Sequence, residues 1–99
     1  MDNEIVIHGT DDLFARLQPV FGETVQTGPV GNFYNLIRML KDPKICNCKK
    51  GKRLEEDVLR SYMSIPSQVR FLPNYGDIKK ILGEGVIVFK HEGNVIGRV

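Results

Sequence analysis

The chain has 99 residues, of which 41% are hydrophobic and 26% are charged, and its net charge is +2. This size and composition predict one domain over residues 1–99 with a modest core, and they exclude a disordered chain. No apolar run approaches the roughly 18 residues that a membrane span needs, and the acidic start of the chain is unlike a secretion signal. We therefore expect a cytoplasmic protein without a membrane partner.

In the first third of the chain, the pattern predicts strand, helix and strand. Residues 4–8 are β-branched and predict a short strand. A helix should begin near Thr10 or Asp11, either of which can cap it, and should stop or kink near Gln18 because Pro19 follows. Residues 23–27 are rich in β formers and predict a second strand.

The next two segments have helical periodicity. Residues 28–31 read as a turn and Asn32 as a cap, before a stripe formed by Phe33, Leu36, Ile37 and Leu40. The proline after Asp42 should end this helix. A second stripe follows at Leu54, Val58, Leu59 and Tyr62. Both stripes predict faces that pack in the core.

The last third predicts a break, a strand, a helix and a hairpin. Pro66 should break the helix within residues 64–67, and residues 68–72 alternate like a short edge strand. Residues 74–77 read as a turn and cap before a short helix that Gly83 closes. Two β-rich runs flank residues 92–94 and predict a β-hairpin.

The predicted order is therefore β-α-β-α-α-β-α-β-β, which indicates the α+β class with a C-terminal β-hairpin. The last predicted strand would have an unpaired edge. Such an edge can recruit a strand from a protein partner or from another copy of the chain.

Positive charge is concentrated between the two helical stripes. Residues 41–53 hold six cations against Asp42, a net charge of +5, whereas residues 1–40 carry −3 and residues 54–99 are neutral. Four of these cations precede a predicted helix start, where backbone amides and the helix dipole favour anions. The predicted anion-binding residues are Lys49, Lys50, Lys52 and Arg53, with Lys41 and Lys44 assisting.

Two features count against a specialised site in this segment. The carboxylates of Glu55, Glu56 and Asp57 follow at once and weaken the positive field, which leaves a solvated charged loop as the plain alternative. No aromatic residue lies between Lys41 and Arg53 to stack on nucleic-acid bases.

Other chemistry has little support from the residues. A P-loop would need glycine at Cys46 and a hydroxyl residue at Arg53. Cys46 and Cys48 offer only two zinc ligands at an unusual spacing, with His8 and His91 far away in sequence. Neighbouring cations favour a thiolate, yet no resolving chemistry is visible. We predict no metal, no cofactor and no enzymatic activity.

The sequence thus favours a non-enzymatic binding domain that contacts an anionic partner, such as nucleic acid or another polyanion, through a basic interhelical loop. The alternative is a structural or assembly subunit that pairs through the edge of the C-terminal hairpin, with a protein partner or as a homo-oligomer.

Overall fold

A computed structural model describes residues 3–42, 52–70 and 74–99. Within these ranges the chain forms four helices and three strands. In chain order they are β1 (Glu4–Ile7), α1 (Thr10–Phe21), α2 (Gly28–Lys41), α3 (Lys52–Arg70), α4 (Asn74–Leu82), β2 (Val86–His91) and β3 (Asn94–Arg98). The predicted α+β class and the C-terminal β-hairpin are confirmed.

The strands form a mixed sheet in the order β1-β2-β3. The strand β1 runs parallel to β2, so the helices lie in the connection between them, and β3 returns antiparallel to β2. Ile5 pairs with Ile87 and Ile7 with Phe89. Because side chains alternate along a strand, these apolar residues share the face that packs on the helices.

The helices cover this face with the predicted apolar stripes. Phe33 and Ile37 of α2 are buried, and Leu36 and Leu40 pack against the core. The longest stripe belongs to α3, where five residues at helical spacing are all buried: Leu54, Val58, Tyr62, Ile65 and Val69. Both stripes are therefore confirmed as core faces.

Residues 23–27 do not form the predicted second strand. The side chain of Asn35 in α2 takes the place of a strand partner: its Oδ1 accepts the backbone N–H of Gln26 at 3.0 Å, and its Nδ2 donates to the Gln26 carbonyl at 2.7 Å. A Cβ at Gly31 would lie 2.7 Å from the Gln26 Cβ, so this close approach needs glycine. One amide side chain thus satisfies backbone groups that a β ladder would otherwise pair.

The predicted turn at residues 28–31 is instead the first turn of α2. Thr27, in an extended conformation, is the N-cap in place of Asn32, and Pro29 lies in the first turn, where its missing N–H costs nothing. The predicted end of α2 before Pro43 is confirmed. Likewise, α4 begins at Asn74, so residues 74–77 belong to the helix and not to a turn.

Pro19, which was expected to stop or kink a helix, and Pro66, which was expected to break one, both lie inside helices. Pro19 is within α1, which continues to Phe21. Pro66 is buried within α3, which continues to Arg70, so residues 68–70 of the predicted strand are helical; residues 71 and 72 lie outside the described ranges. The Pro66 ring lies against Gly97 of β3, where no side chain intervenes. Burial of Ile65 and Val69 on either side compensates for the lost backbone hydrogen bond.

Candidate functional site

The carboxyl ends of β1 and β2 lie at one end of the molecule, beside a cleft of about 400 Å³. The chain leaves β1 and enters α1 at Thr10 and Asp11, while β2 ends at His91. The last turn of α2 contributes Lys41, and the first turn of α3 contributes Glu55. Apolar side chains complete the lining: Ile37, Leu40, Val58 and Leu59.

Tyr62 of α3 fixes the strand ends that border this cleft. Its phenol is buried and donates to the carbonyl of Lys90, with the carbonyl of Ile7 at 3.4 Å. Burial raises the pKa of Tyr62 to about 12, a backbone hydrogen bond at Lys90 partly lowers it, and the charge of Asp12 adds to the rise. Tyr62 therefore stays a neutral donor that ties β1 to β2.

The start of α1 is held by Asp12 and not by the predicted caps. Gly9 is the N-cap residue and no side chain caps the helix from that position. Asp12 Oδ2 instead accepts the backbone N–H of His8 at 2.9 Å, and Asp12 Oδ1 pairs with Arg16 Nε at 3.2 Å. Arg16 Nη2 reaches the carbonyl of Val6 at 3.4 Å. Asp12 is thus engaged in structural contacts along the outer side of β1.

Lys41 is the predicted anion-binding residue whose surroundings are best defined. Its Nζ lies 3.1 Å from Asp11 Oδ1 and 5.6 Å from the centroid of the Phe14 ring. Asp11 is 84% exposed, so this pair is worth less than about 1 kcal/mol and can open at little cost. Lys41 is therefore a partly neutralised cation at the rim of the cleft.

The other predicted binding residues divide into two groups. Lys52 opens α3, and Arg53 is exposed in the first turn of that helix. Asp57, which was expected to neutralise the basic segment, lies 3.7 Å from Arg60 Nη1 instead. Lys44, Lys49 and Lys50 lie outside the described residues, as do Cys46 and Cys48. The anion-binding role of these lysines and the interpretation of these cysteines therefore stay predictions.

The structure also brings to Lys41 an aromatic cluster that the sequence did not reveal. Phe14 stacks on Tyr34 with ring centroids 5.3 Å apart and planes at 23°. The Arg38 guanidinium lies 5.9 Å from the Tyr34 centroid. Together with Gln18 these residues border a second depression of about 270 Å³, which shares Lys41 with the first. The helical spacing of Tyr34, Arg38 and Lys41 in the sequence indicates that they share one face of α2. Nothing in the sequence indicates that Phe14 of α1 packs on that face.

Within residues 3–42, 52–70 and 74–99, no group of three histidine, cysteine, aspartate or glutamate side chains is arranged to hold a metal ion. No helix in the described part of the chain combines the length and the apolar character needed to cross a membrane. No family model, no curated protein and no solved structure matches this chain.

Proposed function

We propose that this protein is a binding module for an anionic partner, with nucleic acid as the first candidate. The contact is made by the basic segment and the two helix ends that bound it: Lys41, Lys44, Lys49, Lys50, Lys52 and Arg53. The observation that carries the proposal is the concentration of charge, +5 within residues 41–53 in a chain of net charge +2. The proposed role is binding and not catalysis.

The position of the helix ends supports this proposal. Leu40 and Lys41, at the end of α2, line the same cleft as Glu55 and Val58, near the start of α3. The basic segment therefore leaves and rejoins the described structure at one end of the molecule. Charges that are clustered along a short segment raise the local positive potential, which favours an anionic partner.

Nearby carboxylates weaken this potential, among them Glu55 and Glu56, which are exposed in the first turns of α3. Asp11 is matched by Lys41 and Asp57 by Arg60. Exposed Arg53 has no carboxylate within 4 Å in the described part of the chain. Contacts of this kind bind phosphates through charge and position a nucleic acid without reading its sequence.

A salt titration tests the proposal. Fluorescence anisotropy of a labelled duplex of about 20 base pairs, measured between about 25 and 200 mM salt, should show binding that weakens as salt rises. If all six cations contact phosphates, the slope of log K against log salt approaches about −5. Absence of binding at the lowest salt concentration, both to this duplex and to a single strand of the same length, would refute the proposal.

Matched variants locate the contact. Lys52→Gln with Arg53→Gln removes two charges from the proposed site, and Lys80→Gln with Arg98→Gln removes two exposed charges elsewhere. The first pair should reduce the slope by about 2, whereas the second should leave it unchanged. Equal losses from both pairs would show that binding follows net charge alone.

A second candidate, an assembly subunit that pairs through the hairpin edge, is favoured by the difference between the two sheet edges. Asp12 and Arg16 cover backbone groups of Val6 and His8 on the outer side of β1. The strand β3 is the other edge and carries Val95, which is 46% exposed. Sedimentation equilibrium should then show a concentration-dependent dimer that Val95→Lys weakens. A monomer at every concentration would exclude self-pairing.

A further inference from the structure

A partly exposed aromatic ring lies next to the proposed anion site. Phe14 of α1 is half-buried and packs on Tyr34 with one side of its ring. Lys41 Nζ lies over the ring, 5.6 Å from its centroid, and this flexible side chain would move aside to admit a base. Proteins that bind single-stranded nucleic acids combine aromatic rings with nearby cations. The rings stack on the faces of unpaired bases, and the cations contact the phosphates between them.

The depression around this ring offers the remaining contacts that a base and its phosphate need. It lies between α1 and α2, and Phe14, Gln18, Arg38 and Lys41 border it together with the carboxylates of Glu23 and Asp42, which partly offset the two cations. The Gln18 side chain is exposed and has both a donor and an acceptor for a base edge. The Arg38 guanidinium lies over Tyr34 at the same depression and adds a second cation.

The two cavities meet at Lys41. This residue borders both the depression at Phe14 and the cleft that faces the start of α3. Its ion pair with Asp11 is exposed, so a phosphate can replace that carboxylate at small cost. A strand that crosses Lys41 would meet the Phe14 ring on one side and the cleft that faces the start of α3 on the other.

We infer that the anionic partner is a single-stranded nucleic acid, with one base stacked on Phe14 in the depression between α1 and α2. This inference rests on the proposed function and adds the class of ligand to it. A duplex keeps its bases stacked on one another and could place one on Phe14 only by flipping it out of the stack, which costs unstacking and unpairing energy. Single strands should therefore bind more tightly than duplexes of equal length.

The experiment compares three labelled probes of about 20 residues at about 50 mM salt: oligo-dT, oligo-U and a DNA duplex. Wild type should bind both single strands at least about tenfold more tightly than the duplex. The ratio of the affinities for oligo-dT and oligo-U shows whether DNA or RNA is the preferred ligand. No binding to any probe would refute the proposed function itself.

Variants of Phe14 test the base contact. Phe14→Leu should weaken single-strand binding about 5- to 100-fold and leave duplex binding unchanged, whereas Phe14→Tyr retains a ring and should retain binding. Phe21→Leu is the matched control, because Phe21 also packs on Tyr34, at 5.1 Å, but does not border the depression. Circular dichroism and urea midpoints show whether each variant folds.

Crosslinking of wild type keeps the inference testable if Phe14→Leu does not fold. An oligonucleotide with 5-iodouracil should crosslink on irradiation to the peptide that contains Phe14. Equal affinity for single strands and duplex, an unchanged affinity in Phe14→Leu, or crosslinks elsewhere only would refute the inference and leave the proposed function standing.

Discussion

Replacing Tyr62 with phenylalanine should make the protein less stable near neutral pH, and raising the pH should remove the difference. The phenol is fully buried and donates to the Lys90 carbonyl. Loss of this bond, which also leaves a carbonyl without its donor, costs about 1–2 kcal/mol. For a chain of this size, that corresponds to a fall in Tm of about 4–16 °C.

The pH dependence follows from the raised pKa of Tyr62, about 12 against an ordinary value of 10.0. The folded state prefers the neutral phenol, so the associated stability is fully present below pH 10 and is lost as pH rises from 10 through 12. Between about pH 8 and about pH 11, the wild type should lose about 1.4 kcal/mol more than Tyr62→Phe.

Urea unfolding of both proteins at the two pH values measures this difference. All other side chains are the same in both proteins, so their contributions cancel in the comparison. The stability gap of about 1–2 kcal/mol at about pH 8 should shrink to about zero at about pH 11. A gap of the same size at both pH values would refute the reasoning that burial of the phenol raises its pKa.

Three further substitutions test contacts that shape the fold. Gly97→Ala should lower the free energy of unfolding in urea by about 1–3 kcal/mol, because its Cβ would overlap the Pro66 ring. An unchanged urea midpoint would show that α3 and β3 do not approach so closely. Asn35→Ala should cost about 2–3 kcal/mol through its two hydrogen bonds to Gln26, and Asn35→Asp should also destabilise, because a carboxylate oxygen would replace the donor that faces the Gln26 carbonyl. Amide exchange at Gln26 should accelerate in both variants of Asn35, and an unaltered rate would argue against the clamp. Glu92 has φ 51° in the hairpin turn, a conformation that asparagine adopts more readily than glutamate. Glu92→Asn should therefore stabilise the fold by about 0.4–1 kcal/mol and raise the melting temperature. A lower melting temperature would contradict this turn geometry.

The fold could be predicted from the sequence where local pattern and tertiary packing agree. The stripe of α2 and the two runs around the turn at Gly93 are examples, because periodicity and turn residues there favour the same structure. The segment at residues 23–27 was predicted wrongly because its β propensity has no strand to pair with, and Asn35 satisfies its backbone instead. Pro66 was read as a break because the sequence cannot show Gly97 lying against its ring.

The candidate site was predictable only in part, for a related reason. The cations of residues 41–53 are contiguous and can be read directly from the chain. Phe14 is brought to Lys41 by the packing of α1 against α2, and Asp11 neutralises Lys41 through the same packing. Such contacts between distant positions depend on the tertiary arrangement, which a single sequence does not display.

The parallel pairing of β1 with β2 has a consequence for how the chain reaches its native state. Glu4 pairs with Val86, so every described helix must be synthesised before the first strand finds its neighbour. The entropy of closing so large a loop makes this a late step. Until it occurs, one side of β2, with Ile87 and Phe89, lacks its partner strand. A nascent or refolding chain is therefore most prone to aggregate through that transient strand, and docking of the amino-terminal strand should complete folding.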